Sequence, residues 1–287
     1  MTPAAVLRGY LVDGKSHLVV GGYDALTARV ADAAGFEVLH LTGFGASAAL
    51  SGVPDIGLLS LTEMVEACRR MCDAVEKPLI ADADTGHGNP LNVRRTIRAF
   101  EAAGAAGVHI EDQVAPKRCG HMAGKSVIST VEMVAKIRAA VDARRDDHFV
   151  VIARTDARAI EGFDAAMERA HAYRDAGADV LFVEAMRDED EIERAAREVG
   201  CPQLFNMAFG GLTPHVSRSW LADLGYALAL FADVASVVHH ALAAFYARLT
   251  DADTLDEVND AVTGFEAFNA FVGLPEWRAL ERRYAGD

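Results

Sequence analysis

Positive charge is scarce in this 287-residue sequence, where 28 lysines and arginines stand against 42 aspartates and glutamates for a net charge of −14. Nucleic-acid surfaces depend on clustered Lys and Arg, so this balance argues against nucleic acid as a partner. No apolar run approaches the roughly 20 residues that a membrane helix requires. The N-terminus lacks the charged-then-apolar pattern of a signal peptide. We therefore expect no membrane partner and a cytoplasmic location.

Cysteine is also scarce, and the four present (Cys68, Cys72, Cys119 and Cys201) follow no disulfide framework. We predict reduced thiols, as in cytoplasmic proteins. By contrast, apolar residues make up 51% of the chain, which is enough to bury a large core.

Short apolar runs alternate with amphipathic stretches along the chain, and this order predicts a parallel α/β sheet. Eight such runs favour a closed (β/α)8 TIM-type barrel. An open doubly wound sheet is the alternative, but no GxGxxG motif follows the first run. The predicted strands are His17–Val20, Val38–Leu41, Pro78–Ala81, Gly107–Ile110, Phe149–Ala153, Val180–Val183, Gln203–Asn206 and Ala227–Leu230. The predicted helices between them include Leu61–Val75, Asn92–Ala103, Val131–Arg144, Phe163–Ala176 and Glu189–Val199.

The organisation that we predict is a single barrel domain over residues 1–287, in which residues 254–287 form a C-terminal helical extension. This tail is rich in aromatic residues, among them Phe265, Phe268, Phe271 and Trp277. The pattern fits packing on a neighbouring subunit, and it fits capping of the chain's own barrel equally well.

Polar residues follow six consecutive predicted strands, where an α/β barrel carries its active site. One such residue is usually a loop residue or a helix cap, but six together indicate a functional rim. They are Thr42 after strand two, which Gly43 and Phe44 follow, then Asp82 and Asp84, Glu111 and Asp112, Arg154 and Asp156, Glu184, and Asn206.

Three carboxylates of this rim predict a metal site. Asp82 and Asp84 point the same way because side chains alternate along a strand, and Glu111 comes from the next strand. Close carboxylates repel unless a cation compensates. Oxygen ligands favour Mg2+, with Mn2+ able to substitute, although His87 and His109 nearby keep zinc as a weaker alternative.

The segment APKRCGHMAGK (115–125), after strand four, combines Lys117, Arg118, Cys119 and His121. Cationic neighbours lower the pKa of a thiol and favour thiolate, so we expect a functional Cys119. Glycines in the segment give it the freedom to close over a ligand.

These motifs resemble those of the isocitrate lyase and phosphoenolpyruvate mutase superfamily from about Val19 to Val238. The stretches that carry the resemblance are SGVPDIG (51–57), ADADTGHGN (81–89), HIEDQVAPKRCGH (109–121) and VVIARTDARAIEGFDAA (150–166). The KRCGH segment is typical of the lyase branch, which includes the dimethylmalate and methylisocitrate lyases. Carboxyphosphonoenolpyruvate mutases also carry it.

The resemblance implies a role for each matching residue. Asp82, Asp84 and Glu111 match metal ligands, with Glu111 acting through water and Asp55 close to the metal. The implied catalytic residues are Cys119, Lys117, His121, Glu184 and Arg154. The implied substrate-binding residues are Thr42, Gly43, Phe44, Asp55, Gly120, Arg154, Glu184, Asn206, Met207 and Ala208. It also implies a barrel whose eighth helix is swapped between subunits, usually in a homotetramer.

Departures from the family pattern bear on the substrate. Val237 and Ala261 stand where methylisocitrate lyases have two C-terminal arginines, and Phe209 and Leu212 replace charged residues. A tricarboxylate would leave a buried charge unpaired, which is costly. We therefore expect a small 2-hydroxy dicarboxylate of the malate type that carries an alkyl substituent.

The expected chemistry is retro-aldol cleavage to a 2-keto acid and a carboxylate, in which Cys119 protonates the leaving enolate as a general acid. Lys117, His121 and Glu184 would set the proton affinity of the thiol. A phosphonomutase and a 2-methylisocitrate lyase are the alternative enzymes. A non-catalytic barrel is a third reading, which the intact acidic residues and cysteine segment oppose.

Overall fold

A computed structural model describes residues 1–285 and shows eight parallel strands. They are β1 (His17–Gly22), β2 (Val38–Leu41), β3 (Leu79–Asp82), β4 (Gly107–Glu111), β5 (Val150–Thr155), β6 (Val180–Val183), β7 (Leu204–Asn206) and β8 (Leu228–Phe231). Their order in the sheet is β6-β5-β4-β3-β2-β1-β8-β7. A single bridge, Leu181 to Gln203, joins the two outer strands, so the sheet closes into a nearly complete barrel. The predicted barrel is confirmed.

Helices follow the strands along the chain, and several begin at a side chain that caps their first turn. They are α1 (Pro3–Tyr10), α2 (Ala25–Ala33), α3 (Gly43–Ser51), α4 (Leu61–Ala74), α5 (Pro90–Ala102), α6 (Thr130–Ala143), α7 (Arg158–Glu161), α8 (Phe163–Asp175), α9 (Glu189–Glu198), α10 (Arg218–Asp223), α11 (Val234–Asp251), α12 (Phe265–Phe271) and α13 (Leu274–Ala285). A 3-10 helix spans Leu255–Ala261. No described helix is long and apolar enough to cross a membrane.

All eight predicted strands are present; β2 and β6 have the predicted ends, and the other six differ by one or two residues at one or both ends. β3 starts at Leu79 rather than at Pro78, because proline has no N–H to donate to a neighbouring strand. It extends to Asp82, and β5 extends to Thr155. The sheet therefore carries the polar residues at the strand ends directly into the site.

The N-terminal helix α1 packs its apolar face against the barrel core. Ala4, Leu7 and Leu11 join one buried cluster with strand residues such as Val19 and Ile152. The strands bury nearly every side chain, as parallel strands covered by helices do. The N-terminal ends of the strands are thus devoted to packing, and the opposite rim is left for chemistry.

The contacts within the chain define two compact units, Met1–Ala235 and the part from Ser236 onward. In the second unit Arg248 bonds Asp260 and the carbonyl of Glu257, which ties the 3-10 helix to α11. Many of its apolar side chains are exposed, including Val237, Leu242, Tyr246, Phe265, Phe268 and Trp277. Large exposed apolar surfaces are typical of protein contacts. A single domain with an extension from residue 254, and subunit packing through it, stay predictions.

Candidate active site

Carboxylates from β3 and β4 meet at the C-terminal rim of the barrel. Asp82 ends β3, Glu111 ends β4, and both are buried. Ligand atoms of Asp82, Glu111 and His109 all lie within 4.8 Å of one another. Asp82 is oriented by two backbone N–H donors, from Gly43 at 3.1 Å and from Asp84 at 2.9 Å. The chain thus brings together a group that could hold a metal ion.

Lys117 lies beside this acidic group. Its buried ammonium is 2.6 Å from Oδ1 of Asp55 and 2.9 Å from Oδ1 of Asp84. Burial opposes its charge, but Asp84 and Asp82 hold the pKa of Lys117 well above the usual lysine value. Asp84, with a left-handed φ of 47°, is therefore turned toward Lys117, whereas the sequence predicts it to be a metal ligand.

The pKa values of the buried carboxylates are shifted in different directions. Burial raises the pKa of Glu111 well above its ordinary value although Arg154 opposes the shift, and it raises the pKa of Asp84 to about 6. Burial would also raise the pKa of Asp82, but His109 and Lys117 outweigh it and lower that pKa. Oε1 of Glu111 has no hydrogen-bond partner among the described residues. A buried carboxylate with an unpaired oxygen fits a divalent cation that prefers oxygen ligands.

Two buried histidines, His40 on β2 and His109 on β4, stand below the acidic residues. Their Nε2 atoms are 2.9 Å apart and the rings are stacked, so one nitrogen donates and the other accepts. Burial lowers the pKa of His40 to about 3, helped by His109, and it also lowers the pKa of His109. Both rings are therefore neutral near pH 7. The sequence prediction omits His40, although its inward position on β2 between buried strands could have revealed it.

Arg154, at the end of β5, is surrounded by carboxylates. Its guanidinium donates to Asp156 from Nε at 2.9 Å and from Nη2 at 3.1 Å. It also lies 3.4 Å from Oε2 of Glu111 and 3.3 Å from Oε2 of Glu184. Burial opposes the charge, but Asp156 and Glu111 hold the pKa of Arg154 well above its usual value. The sequence places Asp156 on the predicted rim but assigns it no role, although its position two residues after Arg154 on one strand face is the signal for their contact.

The segment from Ala115 to Lys125 folds over the rim. The Cys119 N–H donates to the carbonyl of Asp55 at 3.1 Å. A Cβ on Gly120 would collide with the Arg154 guanidinium and lie 2.8 Å from Cγ of Glu184. His121 Nε2 is 3.6 Å from Oε1 of Glu184. The segment therefore brings Cys119, Gly120 and His121 close to Arg154 and Glu184.

The expectation of a thiolate at Cys119 is wrong. Burial raises the pKa of the Cys119 thiol, and it outweighs the opposing effects of the His121 N–H and of Arg154. Arg118 is exposed, and Lys117 is paired with Asp55 and Asp84 rather than with the thiol. Cys119 is therefore a protonated thiol near pH 7.

The remaining predicted substrate-binding residues lie at the start of α3 and around the end of β7. Thr42 caps α3 and Gly43 begins it, with Phe44 next, so this helix starts beside Asp82. A Cβ on Gly43 would lie 2.5 Å from Oδ2 of Asp82, which explains why glycine stands there. At the end of β7, Asn206 Nδ2 donates to Oε2 of Glu184 at 3.2 Å. Met207 and Ala208 instead line an apolar cavity of about 270 Å3 with Phe209, Pro214, His215, Val216 and Phe231.

Comparison with known proteins places the chain in a family. Residues 10–252 match the phosphoenolpyruvate phosphomutase family. The chain is 42% identical to 2,3-dimethylmalate lyase of Eubacterium barkeri over 286 residues, which cover 99% of each chain. It is 42% identical to the chloroplastic carboxyvinyl-carboxyphosphonate phosphorylmutase of Arabidopsis thaliana over 283 residues, 93% of this chain and 80% of that one.

A solved structure agrees with this placement. The crystal structure of phosphonopyruvate hydrolase with oxalate and Mg2+ superimposes with a TM-score of 0.90. It is 30% identical to this chain, and the match covers 99% of this chain and 100% of that one. The prediction of an enzyme of the isocitrate lyase and phosphoenolpyruvate mutase superfamily is confirmed. The chain belongs to the phosphoenolpyruvate phosphomutase family.

Proposed function

We propose that this enzyme is a Mg2+-dependent carbon–carbon lyase that cleaves an alkyl-substituted 2-hydroxy dicarboxylate of the malate type. The observation that carries the proposal is the meeting of a half-buried, protonated thiol with Arg154 and the acidic group on one rim. The full-length similarity to a 2,3-dimethylmalate lyase supports the substrate class.

Asp82 and Glu111 would hold the metal ion, joined by Asp84 through the carboxylate oxygen that does not contact Lys117. Nε2 of His109 already contacts His40, so carboxylate oxygens are the available ligands, and they favour magnesium or manganese over zinc. A bound divalent ion supplies the Lewis acidity that stabilises a developing alkoxide. The unpaired Oε1 of Glu111 supports this assignment.

Arg154 supplies a fixed, buried positive charge for one carboxylate of the substrate. Guanidinium groups bind carboxylates in two-point geometry, and Asp156 already holds this one in place. At the start of α3, the N–H groups of Thr42 and Gly43 already donate to Gly22 and Asp82, so the Phe44 N–H and the Thr42 hydroxyl would serve the other oxygens. These contacts orient the substrate before the bond breaks.

The reaction is redox-neutral. The 2-hydroxyl loses its proton, the C2–C3 bond breaks, and a 2-keto acid forms while the bonding electron pair stays on C3 as an enolate. The Cys119 thiol then gives its proton to C3, and a proton returns to the sulfur to complete the cycle. Glu184, His121 and Lys117 would adjust the acidity of the thiol, and the closed segment would exclude water from the enolate.

A phosphonomutase is the second candidate, favoured by the similarity to the Arabidopsis phosphorylmutase. A phosphonate carries more charge than a carboxylate, and the uncharged Phe209 and Leu212 on the β7 loop count against it. A 2-methylisocitrate lyase is the third, opposed by Val237 and Ala261. A screen of malate derivatives, 2-methylisocitrate and a phosphonate, with coupled detection of the keto acid, separates the three.

The proposal includes a cytoplasmic homotetramer with a swapped C-terminal helix. The exposed apolar residues of the second unit support it, because a monomer would leave them in water. Sedimentation of the whole chain should give about four times the chain mass of 30.7 kDa, and a monomer would contradict the assembly.

A further inference from the structure

Lys125, the last residue of the segment over the active-site rim, is an unusual lysine because its side chain is only 2% exposed. Its ammonium lies 3.0 Å from Oδ1 of Asp156, whose side chain is fully buried. It also donates to the carbonyl oxygen of Gly120, the residue after Cys119. Lysine is almost never fully buried unless it is paired, so these two contacts account for its position.

The Asp156 carboxylate accepts hydrogen bonds from two cationic side chains. Its Oδ1 accepts from Lys125 at 3.0 Å and from Arg154 at 3.1 Å, and its Oδ2 accepts from Arg154 at 2.9 Å. The Asp156 N–H donates to Oδ1 of Asp112 at 2.9 Å. Burial would raise the pKa of Asp156, but Arg154 and Lys125 lower it to about 2, so this carboxylate stays charged.

Asp112 anchors this arrangement to the barrel. Its Oδ2 accepts from Thr155 at 2.7 Å and from the Tyr173 hydroxyl at 2.7 Å. Asp112 is fully buried, and it connects β4, β5 and α8. Asp156 is therefore a fixed point, and any motion at its contact with Lys125 belongs to the segment.

The base of the segment is held independently of Lys125. The Val114 N–H donates to the carbonyl of Ser126 at 2.8 Å, and Gln113 pairs with Val127 in an antiparallel bridge. The tip between these points is also held by the Lys117 ion pairs with Asp55 and Asp84, by the Cys119 N–H and by the His121 ring. The contact of Lys125 with Gly120 crosses the segment and pulls the tip toward Arg154.

We infer that Lys125 and Asp156 form a buried latch that holds the Cys119 segment closed over Arg154, so both act as positioning residues. The ion pair can stay dry only while the segment is closed, and opening would expose two charges. Because Asp156 also orients Arg154, closure of the segment and placement of the guanidinium depend on the same carboxylate. The catalytic consequence rests on the proposed function, whereas the latch itself does not.

The test measures how often the segment opens, through the rate at which iodoacetamide alkylates Cys119 in the full-length protein. Peptide mass spectrometry reads Cys119 and Cys201 separately, and Cys201, half-buried outside the segment, serves as an internal reference. In Lys125→Met we expect Cys119 alkylation to rise about tenfold, the effect of losing about 1.4 kcal/mol of closed-state stabilisation. Alkylation of Cys201 should not change.

Two further variants keep the outcome interpretable. Lys125→Arg retains the charge and should restore most of the protection of Cys119. Arg158→Met breaks another partly buried ion pair of the first unit, Arg158 with Glu191, which does not touch the segment, and should leave Cys119 protected. If Lys125→Met does not fold, judged by circular dichroism and thermal melting, Lys125→Gln replaces it.

Equal alkylation of Cys119 in the wild type and in the folded Lys125 variant would overturn the latch. On the best malate derivative, Lys125→Met should lower kcat about tenfold or more, with Arg158→Met unchanged. An absence of lyase activity in the wild type would refute the proposed function alone, because the alkylation rates would still decide the latch.

Discussion

Replacing Cys119 with serine removes the proposed proton donor while leaving the architecture of the rim in place. The Cys119 N–H to Asp55, the Lys117 ion pairs, and the contacts of Lys125 with Gly120 and Asp156 hold the segment in its closed position. None of these contacts uses the sulfur. Serine is close in size to cysteine, so Arg154 and the acidic group should remain where they are. The effect should therefore fall on kcat and not on binding.

The magnitude follows from the acidity of the group removed. The wild-type thiol is protonated because burial raises its pKa, and it still gives up a proton far more readily than a serine hydroxyl. General acid catalysis contributes about 10²–10⁴ in rate, so kcat should fall by that factor, or by about 3–5 kcal/mol in the barrier. The Kd for a product keto acid should change by less than about threefold, as expected when no binding contact is lost.

The assay follows cleavage of the best malate derivative with coupled detection of the keto acid, beside calorimetric titration of pyruvate. Cys201→Ser is the matched control, because Cys201 is also half-buried but lies just before β7, at the end of the barrel opposite the catalytic rim. It should retain wild-type kcat. Cleavage by Cys119→Ser at a rate close to wild type would refute the general-acid role, even with the metal site correct.

The other predictions concern the metal, the substrate and pH. Chelation with EDTA should abolish activity, and Mg2+ or Mn2+ should restore it. Asp82→Ala should abolish turnover. Full activity after rigorous chelation, or recovery with zinc alone, would contradict the magnesium assignment. The kcat/KM for 2,3-dimethylmalate should exceed that for 2-methylisocitrate by about 30- to 5000-fold, because a buried carboxylate left unpaired costs about 2–5 kcal/mol. Efficient cleavage of 2-methylisocitrate would mean that Val237 and Ala261 do not replace binding arginines. The protonated form of Cys119 is the active one, and burial raises its pKa. As the pH rises, kcat should therefore stay constant past the ordinary thiol pKa of about 8.5 and fall only at higher pH. A kcat that falls between pH 7 and pH 8 would argue against this proton donor.

Part of this protein could be read directly from the sequence. The eight strands follow from apolar runs between glycine-terminated helices, because hydrophobic periodicity is a local property of the chain. The residues after each strand predict the rim for the same reason: in a barrel of parallel strands, every carboxyl end lies on one side. The motifs around Asp82, Glu111, Cys119 and Arg154 predicted the superfamily, and residues 10–252 match it.

Other features needed the folded chain. The pKa of Cys119 depends on burial, which cannot be inferred from the charged residues next to it in the sequence. The sequence therefore predicts a thiolate, whereas the structure indicates a protonated thiol. Which carboxylate pairs with Lys117 depends on the path of the segment, and the sequence could not assign Asp84 to it. The stacked His40 and His109 come from strands 69 residues apart in the chain, and only the closure of the barrel brings them together.

The sequence by itself determined the order of the elements, the side of the barrel that carries function and the chemical types available there, because each of these depends on neighbours along the chain. The tertiary structure decided how the charges are shared: Asp156 between Lys125 and Arg154, and Lys117 between Asp55 and Asp84. Sharing of this kind depends on distances of about 3 Å between residues far apart in sequence and on burial that removes the screening by water. Neither these distances nor the extent of burial can be read from the order of the residues alone.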